Sequence, residues 1–299
     1  MPFKIVGVDD NSHFPPRVET RLAADFVTKS ESISLNDATV DSVLNDSATA
    51  SQKSFLAQSQ TNRIVNRMTV LPRQARVTLI KTLVKSLIDN GIWDKLDGFY
   101  MLAAHDEQAA RLNWRGGPAQ DLTSVNSPIF TTDRGFQGDG TTSYLTTSLS
   151  GTGADQYKQD DAFMGLWCIT NASSNTGHGV SGAGNGYINP RSVAGAIVLR
   201  ANSGSTLTFA GMTDSSGLTA WSRPDNANVT AYKNGSVFGT QSSASVALGT
   251  NNFEICRNQT NYSSRQIAFA AFGARLTDAQ QAALYTAVRT YLLAVGATS

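Results

Sequence analysis

Four glutamates, Glu19, Glu31, Glu107 and Glu254, are all that the chain has, and they decide the first chemical question. Retaining glycoside hydrolysis needs two carboxyls about 5–5.5 Å apart, one as nucleophile and one as acid. No two of these glutamates can share a strand face. Asp155, Asp160 and Asp161 sit in a polar loop between strands, where solvated turn positions account for them. Hydrolysis is therefore not expected. His178 lies in Thr176-Gly177-His178-Gly179, a Gly/Ser/Asn-rich loop in which it is expected to hydrogen-bond locally. His105 lies at a strand-to-helix junction, and neither Cys168 nor Cys256 is expected to be exposed near them, so no nucleophile–base pair is assembled. The run Gly182-Ala183-Gly184-Asn185-Gly186 is followed by no Lys and is enclosed by no strand-to-helix unit, so it is not a phosphate loop. Calcium would take Asp, Asn and backbone carbonyl oxygens; Asp139 in Gly138-Asp139-Gly140 and the Asp160-Asp161 pair are the candidates. A tight turn explains the first and solvation the second, and no cofactor is expected.

Recognition suits the residues better than catalysis does. Sugar rings stack on exposed Trp and Tyr faces, while amide-rich rims supply hydrogen bonds. Trp221, Tyr187 and Tyr262 lie next to loops rich in Ser, Asn and Arg, together with Asn185, Arg223, Asn226, Asn258 and Asn261. The expected ligand-binding set is Trp221, Tyr187, Tyr262, Arg223, Asn185 and Asn261. Trp167 is expected in the core, and Trp93 and Trp114 are expected to pack a helix onto the rest.

Composition agrees with a neutral, hydrogen-bonding surface. The 299 residues carry 16% charged side chains and a net charge of +1, below the roughly 25% charged residues of ordinary soluble chains. Such a surface sets up no field for gathering phosphate backbones or anionic lipid, so neither nucleic-acid nor membrane partners are expected. No window of about 18 apolar residues spans a bilayer. The first ten residues lack the apolar core and cleavage site of a secretory signal, which predicts synthesis in cytoplasm and release by lysis. Two cysteines make no disulfide scaffold, and both read as small buried hydrophobes.

The elements that must position these groups follow from periodicity. Residues 1–70 do not read as a packed domain: Pro15-Pro16 interrupts them, and the Ser/Ala/Gln/Asn-rich stretch 45–62 holds few apolar residues. Only a short strand at 3–8 and an alternating piece around Ile33 and Leu35 stand out. Ordering such a segment costs about 1–2 kcal/mol per residue, which predicts an extended arm held by another chain or wrapped over its own domain. Residues 71–127 form a helix and connection. Pro72 opens that helix, and Val77, Ile80, Leu83, Val84, Leu87 and Ile88 make one apolar stripe, with Gly91 as its left-handed stop. A core strand is expected at 96–103.

From residue 128 to 299 the period changes to two. Strands are predicted at 130–132, 144–147, 163–169, 197–201, 206–210, 219–222, 229–232, 253–256 and 267–272. In 163–169 both faces are apolar, which predicts a strand inside a sandwich. Lys233-Asn234-Gly235-Ser236 is a two-residue hairpin signal, because a type I′ turn needs positive φ at both centres. A last helix is capped by Thr277 with Gln280 three residues on, carries Leu284, Val288, Leu292 and Val295 inward, and stops at Gly296. The class is mainly β: an antiparallel sandwich flanked by two helices, with an N-terminal arm.

Two stretches carry a family likeness. The first runs Gly91-Ile92-Trp93-Asp94-Lys95-Leu96-Asp97, then Leu102-Ala103-Ala104-His105-Asp106, then Phe130-Thr131-Thr132-Asp133-Arg134-Gly135-Phe136-Gln137-Gly138-Asp139-Gly140, ending in Tyr144-Leu145. The second runs Ala231-Tyr232-Lys233-Asn234-Gly235, then Arg265-Gln266-Ile267-Ala268-Phe269-Ala270-Ala271-Phe272-Gly273 and Leu276-Thr277-Asp278-Ala279-Gln280. Together, over roughly residues 75–296, they resemble the laminin-G-like, concanavalin-A-like jelly rolls in structural proteins of tailed bacteriophages. That resemblance implies a non-enzymatic virion component of tail, fibre or head. Its residues 1–70 would contact other virion proteins, its copies would oligomerise, and its sandwich would be displayed for weak adsorption to host-surface glycan. The alternatives are a glycan-active hydrolase on the same fold, as in laminarinase-type enzymes, or a joining protein with no ligand.

Overall fold

The computed structural model divides the chain into two compact units, residues 1–45 and residues 46–299. It describes residues 48–174, 186–258 and 261–297, with backbone alone at 180–182. The strand expected at 3–8 and the piece around Ile33 and Leu35 lie outside the described residues.

Four helices and seventeen strands are described. In chain order they begin with α1 (Ala50–Val65), α2 (Gln74–Asp89), β1 (Leu96–Met101), α3 (Glu107–Ala110), β2 (Thr123–Val125), β3 (Ile129–Thr131) and β4 (Gly135–Gln137). Then come β5 (Tyr144–Ser150), β6 (Ala162–Cys168), β7 (Val180–Gly182), β8 (Gly186–Asn189), β9 (Ala196–Ala201), β10 (Leu207–Ala210) and β11 (Gly217–Arg223). The chain ends with β12 (Asn228–Lys233), β13 (Ser236–Ser242), β14 (Asn252–Ile255), β15 (Arg257–Asn258), β16 (Asn261–Tyr262), β17 (Gln266–Gly273) and α4 (Asp278–Ala294).

The expected arm is corrected at its C-terminal end, because residues 50–70 fold into the second unit. Thr49 caps α1 in a reciprocal box, its hydroxyl accepting the Gln52 N–H while the Gln52 side chain accepts the Thr49 N–H. Leu56, Ala57 and Ile64 are buried, a thin stripe for a sixteen-residue helix. Polar clamps hold the rest. Arg63 donates to the Trp114 and Gly116 carbonyls at 2.7 and 3.0 Å, and Arg67 donates to the Asn113 carbonyl at 2.8 Å and pairs with Asp121. Composition hides this helix because its anchors lie some fifty residues away. α2 buries Ile80, Leu83, Val84, Leu87 and Ile88, and Gly91 ends it at φ +61°. Pro72 stands ahead of the Arg73 N-cap rather than in the first turn.

Two antiparallel sheets make a jelly-roll sandwich. The first runs β13-β12-β11-β6-β17-β4-β3, with β1 also pairing β17; the second runs β10-β9-β8-β7-β14-β5-β2. Phe253 of the second sheet stacks on Phe272 of the first at 3.6 Å, and Tyr157 meets Phe253 and Trp221 edge-on at 5.2 and 6.2 Å, which marks the interior between the sheets. The opposite face of the first sheet carries helices: Trp167 stacks on Tyr285 of α4 at 5.6 Å, and Trp114 meets Tyr291 of α4 at 6.0 Å. β6 is buried along its whole length because this helical layer covers one side and the second sheet the other. Cys168 and Cys256 are both buried and free.

Two motifs of the resemblance acquire physical reasons. The Asp97 carboxylate, buried at the start of β1, accepts the N–H groups of Asp155, Gln156 and Tyr157 at 2.7–3.1 Å and so ties the segment before β6 to the first sheet. Asn234 and Gly235 turn at φ +50° and +78°, and a Cβ on Gly235 would stand 2.9 Å from Ala282 Cα, so the turn can lie against α4 only because it is glycine.

Candidate functional site

The structure separates the predicted ligand-binding residues. Trp221 and Arg223 are corrected outright. Both point between the sheets, since positions two apart on a strand share a face, and both are 0% exposed. The Arg223 guanidinium donates to the carbonyls of Ala201, Asp225 and Ser243, the last two at 3.1 and 3.0 Å, and burial pushes its pKa down. It fastens the end of β11 to β9 and to the chain beyond β13, and it offers no exposed surface for recognition. Trp221 missed its assignment because both faces of β11 are buried, so proximity to a polar loop did not tell which way the indole turned. Asn258 is buried as well. Asn185 and His178 lie outside the described residues.

Tyr262 and Asn261 remain candidates, whereas the Tyr187 side chain is buried and is corrected as a stacking residue; together the three mark one surface. Burial alternates along β10 and β5, with Thr208, Ala210 and Ser148 exposed and Leu207, Phe209, Leu145, Thr147 and Leu149 buried. The outer face of the second sheet is therefore open, whereas that of the first is covered by helices. Cross-strand pairing sets Thr123 opposite Thr146, Thr146 opposite Glu254, Glu254 opposite Ser181, Ser181 opposite Tyr187 and Tyr187 opposite Arg200. This is one row across five neighbouring strands and an edge strand. At one end Arg257 lies over the Tyr144 ring at 4.3 Å and the Tyr262 ring at 5.4 Å, the two rings being 6.1 Å apart and edge-on. Its Nη1 pairs with Glu254 Oε1 at 3.2 Å. Tyr262 and Asn261 are half-buried beside this cluster. At the other end Tyr187 is largely buried, 8% exposed, and its hydroxyl shares a 2.9 Å hydrogen bond with Thr206. Tyr187 thus supplies an edge rather than a stacking platform.

Tyr144, Arg257, Glu254 and Arg200 were absent from the predicted set. Period-two alternation in 144–147 placed Tyr144 on the same face as Thr146, but nothing local announces that residues 144, 187, 200 and 254 meet on one sheet.

The calcium candidates are already engaged or apart. Asp139 Oδ1 accepts the N–H groups of Thr141, Thr142 and Ser143 at 2.7–2.9 Å, and Oδ2 accepts the Thr142 hydroxyl. Asp161 Oδ1 accepts the Arg275 N–H at 2.8 Å. Asp160 Oδ1 is buried and meets no described hydrogen-bond donor. Among the described residues no three His, Cys, Asp or Glu side chains gather as metal ligands.

The Asp139 turn makes a pH prediction. The N–H groups of Ser143, Thr142 and Thr141, with the Thr142 hydroxyl, hold this carboxyl well below the usual range. A carboxylate with a depressed folded pKa stabilises fully above its unfolded value of about 3.9 and loses that contribution as pH falls below it. Asp139→Asn should therefore lower Tm at neutral pH and change it least at the acid end, which flattens the acid limb of Tm against pH. Parallel acid limbs in wild type and variant would contradict this.

No family model and no curated protein matches the chain. Among solved structures, the receptor-binding domain of botulinum neurotoxin C/D mosaic serotype is similar at 11% identity and TM-score 0.48, over 65% of this chain and 52% of that one. A Trypanosoma rangeli sialidase in complex with 2,3-difluorosialic acid is similar at 9% and 0.47, over 73% and 40%. Domain 4 of the arabinanase AbnA from Geobacillus stearothermophilus, in complex with arabinotriose, is similar at 16% and 0.41, over 64% and 98%. The chain spans about half of the neurotoxin domain and less of the sialidase. The chain folds as a helix-backed antiparallel β-sandwich of jelly-roll class with one open sheet face.

Proposed function

We propose that this chain is a non-enzymatic structural component of a tailed-phage virion, in tail, fibre or head, and that the open face of its second sheet adsorbs weakly to host-surface glycan. The observation that carries the reading is the asymmetry of the sandwich. One sheet is sealed by helices, while the other presents a polar row with a half-buried Tyr144–Arg257–Tyr262 cluster. Absence of catalysis is supported by the strands of that sheet, whose only carboxylate, Glu254, is paired with Arg257, where hydrolysis would need two carboxyls. The virion assignment rests on the sequence resemblance, and residues 1–45 are left as the segment for contact with other virion proteins. Oligomerisation with closed symmetry would multiply a weak site through avidity.

Mass spectrometry of purified virions should find the chain in intact particles, and its absence would end the virion reading. On a glycan array, multivalent full-length protein should bind, and Tyr262→Ala should weaken the signal about tenfold, since stacking on an aromatic ring contributes on the order of 1 kcal/mol or more. Binding by no host glycan would leave a joining or decorating role. Release of reducing sugar from envelope glycans would instead favour the hydrolase.

A further inference from the structure

The strands of the open sheet contain two charged residues, Glu254 and Arg200. Glu254 is matched by Arg257. Arg200 is matched by nothing: among the described residues it makes no ion pair, and its Nε–H is buried without an acceptor. It stands on β9 directly opposite Tyr187, near Thr206, whose hydroxyl meets that of Tyr187. The same face of β9 carries Val198, and β10 offers Thr208 and Ala210, so no carboxylate lies on the neighbouring strand positions. Arg200 stands on β9, one strand in from the sheet edge, and is half-buried on the outer face.

Resting on the glycan reading of this face, we propose that Arg200 receives the anionic group of an acidic saccharide, a carboxylate in the first instance. The guanidinium is a planar fork whose N–H pairs match a carboxylate two at a time, and its outward terminal N–H groups are the donors that such a ligand would meet. Three strand spacings of about 4.8 Å separate Arg200 from Glu254 along the row, roughly 14 Å. An oligosaccharide can therefore set its acidic residue at Arg200 while a neighbouring ring reaches Tyr262 and Tyr144. Arg200 would then select for charge, and the tyrosine cluster would hold sugar of either kind. A stem merely laid along Tyr187 to cover it would give no such selectivity.

The test uses full-length protein against three immobilised probes: an oligogalacturonate, the same oligomer with its carboxyls reduced to alcohols, and a glycerol phosphate oligomer. Charge-assisted hydrogen bonds contribute about 1.5–3 kcal/mol, so wild type should bind the acidic probe about tenfold or more tightly than the reduced one. Arg200→Gln should abolish that preference at unchanged Tm and leave binding to the reduced probe as it was, and Arg200→Lys should restore part of the preference. Arg200-dependent binding of the phosphate probe in place of the carboxylate supports an anion site and moves its source to phosphate. Equal binding of acidic and reduced probes, or a preference indifferent to Arg200→Gln, overturns the assignment of Arg200 while leaving glycan adsorption standing. Binding of no probe, nor of any glycan on the array, overturns both.

Discussion

Replacing Trp221 with alanine should lower the stability of the second unit by about 3–5 kcal/mol, the range for truncating a buried large aromatic. The indole is fully buried between the sheets, edge-on to Tyr157, which in turn meets Phe253. Removing it opens a cavity that a cross-braced β core can close only in part. Equilibrium urea unfolding at matched m-value would read the loss, and Trp221→Phe should recover most of it. A loss below about 1 kcal/mol would show that the indole is dispensable to packing. The same variant is a poor probe of ligand binding, since any missing signal would report unfolding.

Arg223→Ala should cost about 3 kcal/mol, taking into account that three carbonyl acceptors lose a charged donor at once and that such losses are not additive. Ala201, Asp225 and Ser243 belong to three separate segments that close one end of the sandwich. Hydrogen exchange should therefore rise together at the β9 end and in the 225–246 region, rather than at Arg223 alone. Arg223→Met, which keeps the apolar stem and much of the volume, separates packing from hydrogen bonding. If the methionine variant is as stable as wild type, the carbonyls are satisfied otherwise and the clamp does not operate.

The four arginines reassigned or newly placed by the fold share one property. Arg63, Arg67 and Arg223 reach backbone carbonyls in segments distant along the chain, and Arg265, buried near the end of β8, donates to Asn189 Oδ1 and the Arg191 carbonyl at 3.1 and 2.8 Å. In a chain only 16% charged, guanidiniums act as interior fasteners as well as surface groups. A long polar side chain near a loop signals recognition in sequence. Whether it turns outward to a ligand or inward to carbonyls depends on which strands flank it.

What the sequence by itself determined is local. Thr277 and Gln280 cap α4 reciprocally, Asn234-Gly235 makes its turn, Gly91 ends α2, and the two apolar faces of residues 163–169 place β6 between layers. Each depends on interactions within a few residues, where backbone sterics and one side chain suffice. Strands of three or four residues, such as β4, β7 and β8, are too short to carry a period, and they exist because longer neighbours offer them a ladder. α1 escaped notice because the guanidiniums of Arg63 and Arg67, clamped onto carbonyls of the 113–121 segment, stand in for an apolar stripe. Tertiary structure alone decided the face: helices cover one sheet, Trp221 and Arg223 are turned inward, and Tyr144, Tyr187, Arg200 and Glu254 come together on the other sheet. Each strand is set by its own pattern, but which strands become neighbours is decided only when long-range pairing and burial are satisfied together.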